Sequence, residues 1–134
     1  MSRHKLNSFL IIDDEEANEF ITRTFLERAN CVEEIVSVND PRDGLSVLER
    51  NEMPEVIIVD INMPGMNAWR FLEEARKVMG NGSFPFVVIL SSSVSIEDKE
   101  AAASHQDVKM FVSKPLNPDK VNEILDQYFA AYPS

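Results

Sequence analysis

The sequence predicts an α/β domain built on a parallel sheet, and three observations lead there. Five short apolar runs, at residues 9–12, 35–38, 56–59, 86–90 and 108–112, are rich in the β-branched and aromatic side chains that favour strands. Segments with helical spacing separate them in strict alternation, which calls for parallel strands joined by crossover helices on both faces of a sheet. At 134 residues the chain is the size of one domain with a well-buried core.

Each helix carries its own signals. Ala17, Phe20, Ile21, Thr24 and Phe25 form an i, i+3, i+4, i+7, i+8 stripe for the first. Asp40 and Pro41 supply an N-cap and a first helical residue for the second, with Leu45 and Leu48 on its buried side. The third is expected from about Asn67 to Met79, stopping before Gly80 and Gly82. Ser95, with Asp98 three residues on, reads as a capping box for the fourth. Asn117 and Pro118 open the fifth, whose stripe is Val121, Ile124, Leu125, Tyr128 and Phe129.

Strand composition predicts the strand order. The first, third and fourth runs are almost wholly apolar, as central strands covered on both faces must be. Glu33, Glu34, Ser37 and Asn39 mark the second run, and Lys109 and Ser113 the fifth, as edges where polar groups discourage further pairing. The order 2-1-3-4-5 satisfies both conditions, giving a three-layer (βα)5 doubly wound parallel sheet of flavodoxin-like type. Its switch point lies between the first and third strands, at Asp13, Asp14 and Asp60.

Composition excludes several function classes. The formal net charge is −10 and no Lys/Arg cluster provides the basic footprint that direct nucleic-acid binding needs. No run approaches the ~20 apolar residues of a membrane span, and the polar start does not resemble a signal peptide. Cys31 is the single cysteine, so no intrachain disulfide forms. It is expected as a small buried residue near a helix end, in a reducing compartment. Residues 1–134 are expected to form one domain with a core of about 8–130, cytoplasmic and without an output domain.

The ends of parallel strands gather chemistry at one edge. Glu15 and Glu16 suit the first turn of a helix by its dipole, whereas Asp13, Asp14 and Asp60 would crowd one another. Two unit charges ~4 Å apart repel by about 4 kcal/mol at an effective dielectric of 20, so such a cluster holds a proton or attracts a cation. Mg²⁺ fits best, because it takes oxygen ligands and works with phosphate. Two separated histidines and one cysteine do not make a zinc site, and the spaced acids of a calcium loop are absent. A carboxylate such as Asp60 is a nucleophile towards phosphorus, Lys114 can neutralise phosphoryl oxygens, and Ser91 can donate a hydrogen bond to one.

Ile12-Asp13-Asp14, the segment from Asp60 through Asn62, Met63, Pro64 and Gly65 to Met66, Leu90-Ser91 and Ser113-Lys114-Pro115 together resemble the receiver domain of two-component response regulators, of the stand-alone chemotaxis-receiver type, over roughly residues 9–129. The resemblance implies Asp60 as phosphoacceptor, Asp14 as the closest acidic Mg²⁺ ligand, Asp13 acting more through water, and the backbone carbonyl of Asn62 as a further ligand. It implies Ser91 as the switch hydroxyl, Phe111 as the switch aromatic, and a cis Lys114–Pro115 bond. Asn62 and Ser93 are implied as positions that tune a slow self-dephosphorylation. The implied partners are a sensor histidine kinase or histidine phosphotransfer protein, and a downstream protein meeting the face of the fourth helix, fifth strand and fifth helix. The implied state is a monomer or a phosphorylation-dependent dimer.

Ala68 stands where the family commonly has glycine, and Ser91 where threonine is commoner; an ordinary helical φ is expected at Ala68. Trp69 is expected to pack along its helix, and His4 and His105 to be solvated. Two rival readings stay open. A small Mg²⁺-dependent phosphatase of the haloacid-dehalogenase-like kind would want a second acid where Asn62 stands. A degenerate receiver used only for binding would lack an acid or the lysine.

Overall fold

β-Branched and aromatic runs alternate with capped helices along the whole chain, and the computed structural model realises each as one element. It describes residues 5–50, 53–61, 63–80, 82–92 and 95–132. The order is β1 (Leu6–Ile12), α1 (Glu16–Ala29), β2 (Val32–Val38), α2 (Pro41–Glu49), β3 (Val56–Val59), α3 (Ala68–Met79), β4 (Phe86–Ser91), α4 (Ile96–Ser104), β5 (Val108–Ser113) and α5 (Pro118–Ala131). All pairings are parallel in the order β2-β1-β3-β4-β5. The expected fold class and strand order are those observed.

Strand alternation divides the core in two. Phe9, Ile11, Ile58, Val88 and Leu90 face Leu26, Val121, Ile124 and Leu125, under α1 and α5. Leu10, Ile12, Ile57, Val59 and Ile89 face Val47, Leu48, Phe71 and Leu72, under α2 and α3. Gly44 lets α2 come close: a Cβ there would lie 2.7 Å from Ile12 Cδ1 and 3.2 Å from Phe71 Cε1. Cys31 is buried just after the αL residue Asn30 that ends α1.

The capping residues act as the sequence suggests. Asp40, Asn67, Ser95 and Asn117 each accept a hydrogen bond from a backbone N–H in the first turn of their helix. Ala68 is fully buried at the start of α3 with no positive φ, so the change from glycine costs no backbone strain.

The first helix packs differently from its expected stripe. Ala17 is exposed and Phe20 is 61% exposed, while Asn18, Thr22 and Leu26 are buried, with Ile21 and Phe25 half-buried beside them. The helix is rotated so that an i, i+4, i+8 line meets the sheet. Burial of the polar Asn18 there is compensated by a hydrogen bond from its amide to the Asp13 carboxylate. His105 also departs from the solvated expectation: its ring stacks on Trp69 at 6.0 Å, and its Nδ1 accepts from the Asp107 N–H. His4, Asn62 and Ser93 lie outside the described residues.

Candidate functional site

The strand ends are locked in register before any side chain is considered. Asp13 N–H donates to the Val38 carbonyl at 3.2 Å and Asp60 N–H to the Ile12 carbonyl at 3.1 Å, so β1 holds both neighbours at the switch point. Asp13, Asp14 and Asp60 each bring a carboxylate oxygen within 4.8 Å of the others. Asp13 and Asp60 are buried, whereas Asp14 is exposed and opens the cluster to solvent.

Lys114 enters from the turn after β5. Its Nζ donates to Asp60 Oδ2 at 3.1 Å and lies 3.5 Å from both Asp13 Oδ2 and Glu15 Oε1. Burial by itself lowers the lysine pKa, but the Asp60 hydrogen bond and the charges of Asp13, Asp60 and Glu15 outweigh it and raise the pKa. The lysine is therefore a firm cation. Its turn is fixed by the cis Lys114–Pro115 bond and by Lys114 N–H donating to the Ser91 carbonyl at 2.9 Å. Lys120 of α5 adds Nζ bonds to the Ser113 and Pro115 carbonyls at 2.8 and 3.1 Å.

Ser91, 1% exposed, ends β4 opposite Ser113. Phe111 pairs with Ile89, two residues before Ser91, so Ser91 and Phe111 are diagonal neighbours on one face of the sheet. Phe111 is half-buried against the core under α2 and α3. All the described sequence-derived residues thus meet at one edge or its adjoining face.

Three carboxylates against one ammonium leave room for a divalent cation, and an all-oxygen donor set is what Mg²⁺ takes. A cleft of about 650 Å³ lies alongside, lined by Asp13, Phe20, Arg23, Ser37 and Asp43 among others. Asp60 and Lys114 are not part of it, so the reactive groups sit at its margin, on the open sheet edge.

Sequence reasoning missed Asn18 and Lys120. Asn18 Nδ2 donates to Asp13 Oδ2 at 2.5 Å, and the only forewarning is its i, i+4 spacing to Thr22 on the buried line of α1. Lys120 looks like any first-turn surface lysine until the Ser113–Pro115 turn folds against it.

The family model for the response regulator receiver domain matches residues 9–126. The chain belongs to this family. The receiver is a phosphoacceptor signalling domain of two-component systems. A crystal structure of a two-component response regulator from Cytophaga hutchinsonii is 30% identical to it, with a TM-score of 0.84 over 95% of this chain and 99% of that one. The sensory/regulatory protein RpfC of Xanthomonas campestris pv. campestris is 30% identical over 117 residues, 87% of this chain, but the receiver spans only 16% of its length. An uncharacterised 14.6 kDa protein from Leptolyngbya boryana is 25% identical over 92% of this chain and 91% of that protein. Receivers of the family bind Mg²⁺ and take phosphoryl groups from histidine kinases; some are joined to enzymes, as in a methylesterase of Bradyrhizobium diazoefficiens. Among the described residues no helix is long and apolar enough to cross a membrane.

Proposed function

We propose that Asp60 is the phosphoacceptor, taking the phosphoryl group of a partner's phosphohistidine. The single observation that carries this is Lys114 Nζ at 3.1 Å from Asp60 Oδ2, beside two further acids. An Asp60 carboxylate oxygen forms a bond to phosphorus as the phosphorus–nitrogen bond to the donor imidazole breaks, and the imidazole keeps the electron pair and takes up a proton. Lys114 balances the incoming oxygens from one side. Asp13, Asp14 and Asp60 would hold Mg²⁺, which supplies neutralisation of carboxylate and phosphoryl charge.

The phosphoryl group adds about −1.5 to −2 charges beside Ser91. Ser91 turns its hydroxyl to the phosphate, and Phe111, on the same face, follows into the space released. The response then reaches α4, β5 and α5, where Ile96 is 69% exposed and α4 buries only Ala102 among its described residues. A downstream protein docks on that face, with the receiver as a monomer or a phosphorylation-dependent dimer. The donor is a sensor histidine kinase or a histidine phosphotransfer protein in the cytosol. The domain supplies its own transfer geometry and loses the phosphate slowly, without turning over a soluble substrate.

The test is incubation with acetyl phosphate and Mg²⁺. Wild type takes up phosphate and Asp60→Asn does not, while beryllofluoride with Mg²⁺ moves the amide signals of Ser91 and Phe111. Labelling retained in Asp60→Asn overturns the acceptor assignment. Steady hydrolysis of a phosphate ester by wild type alone makes the protein a phosphatase instead.

A further inference from the structure

Asn18 is 6% exposed inside α1, although asparagine is a poor helix-interior residue and is seldom buried without a partner. Its partner is Asp13, the buried acid of the proposed cation site. Asp13 Oδ2 receives Asn18 Nδ2 at 2.5 Å and has Lys114 Nζ 3.5 Å away, while Oδ1 receives the Glu15 N–H at 2.9 Å. Both oxygens of Asp13 are thus engaged by the protein itself, while Asp14 stands exposed.

We propose that Asn18 is a positioning residue that sets the divalent-cation affinity of the site through Asp13, holding it below what the three acids would otherwise give. The inference rests on the reading of Asp13, Asp14 and Asp60 as the Mg²⁺ site. A donor aimed at a carboxylate stabilises its negative charge, and here that donor is neutral and built in. It does part of the work that a cation would otherwise do.

The sign follows from how Asp13 is held. Removing the amide has two opposed effects, loss of alignment, which weakens cation binding, and loss of charge compensation, which strengthens it. Alignment survives, because Asp13 is 3% exposed, its N–H is bonded to Val38, and its Oδ1 keeps the Glu15 N–H. Compensation does not survive intact, because Lys114, 3.5 Å from Oδ2, divides its charge among Asp60, Asp13 and Glu15. The loss of compensation therefore wins. The metal-free cluster becomes less stable, and the cation relieves more repulsion on binding.

The test is calorimetric titration of the EDTA-treated full chain with MgCl₂ at fixed ionic strength, for wild type, Asn18→Leu, Asn18→Ala and Asn18→Asp. Asn18→Leu tightens the Mg²⁺ Kd about three- to tenfold, the scale of one ordinary intramolecular hydrogen bond, because Lys114 keeps part of the compensation. Asn18→Asp, close in size, removes the donor and adds a fourth acid, so it tightens Kd further. Asn18→Ala, which removes the donor and adds no charge, carries the test should Asn18→Leu not fold. A Kd unchanged or weakened in the folded variants overturns the proposal and leaves the phosphoacceptor reading standing. A wild type that binds no Mg²⁺ overturns the cation site and this proposal together. A merely structural Asn18 would lower the melting temperature without tightening Kd.

Discussion

Lys114 Nζ meets Asp60 Oδ2 at 3.1 Å across 54 positions of sequence, with the whole of β4 lying between their strands. The contact exists because β5 ends one residue before Lys114 and β3 one residue before Asp60, so both leave the sheet at the same edge. It is also the contact whose removal has the clearest consequences.

Lys114→Met leaves buried Asp13 and Asp60 without their cation. Breaking a buried pair from one side costs about 3 kcal/mol or more, so denaturant unfolding without metal shifts by that order. Millimolar Mg²⁺ restores part of it. Phosphoryl uptake from acetyl phosphate falls about 100-fold, the scale of losing one preorganised electrostatic donor.

Mg²⁺ raises the melting temperature of the wild-type receiver, because it binds the native cluster and not the unfolded chain. At a hundred times Kd the gain is about 2.7 kcal/mol, several degrees for a domain of this size. Asp14→Ala removes the exposed oxygen ligand and abolishes most of the increment. An equal rise in that variant points to Mg²⁺ binding elsewhere.

Tyr128 reports on the opposite end of the sheet. Its hydroxyl donates to Glu55 Oε2 at 3.1 Å; burial, the Glu55 charge and that hydrogen bond push its pKa up to about 12. The folded value lies above the unfolded one near 10, so its contribution to stability is complete below about pH 10 and is lost as pH rises towards about 12. Phenolate absorbance should show this late step, and Glu55→Gln should bring it down.

Arg76 ties α3 to the turn before β5. Its guanidinium pairs with Asp107, lies 4.1 Å from the Phe84 ring centroid, and reaches the Gly80 and Gly82 carbonyls. Arg76→Met keeps the stem and strands the buried Asp107, costing about 2–3 kcal/mol by the loss of a charge-assisted bond. Arg76→Lys recovers little, because an ammonium cannot stack and fork at once. Thermal unfolding of both variants decides it.

Much of the receiver was legible in its sequence for local reasons. Strand runs, caps at Asp40, Asn67, Ser95 and Asn117, and the contrast between apolar β3 and polar-flanked β2 are all written within a few residues of where they act. From these the strand order followed, and with it the meeting of Asp13, Asp14, Asp60, Ser91 and Lys114.

What only the tertiary structure decided depends on rotation and on distant partners. Which line of α1 faces the sheet was one such question: the sequence offers Phe20, yet Asn18 is buried, because Asp13 supplies its amide with an acceptor that hydropathy cannot see. His105 stacking on Trp69, and Lys120 holding the turn that carries Lys114, are settled in the same way. Periodicity reports the average polarity of a face. A single buried hydrogen bond or ring contact can overrule that average, and its partner is chosen in three dimensions.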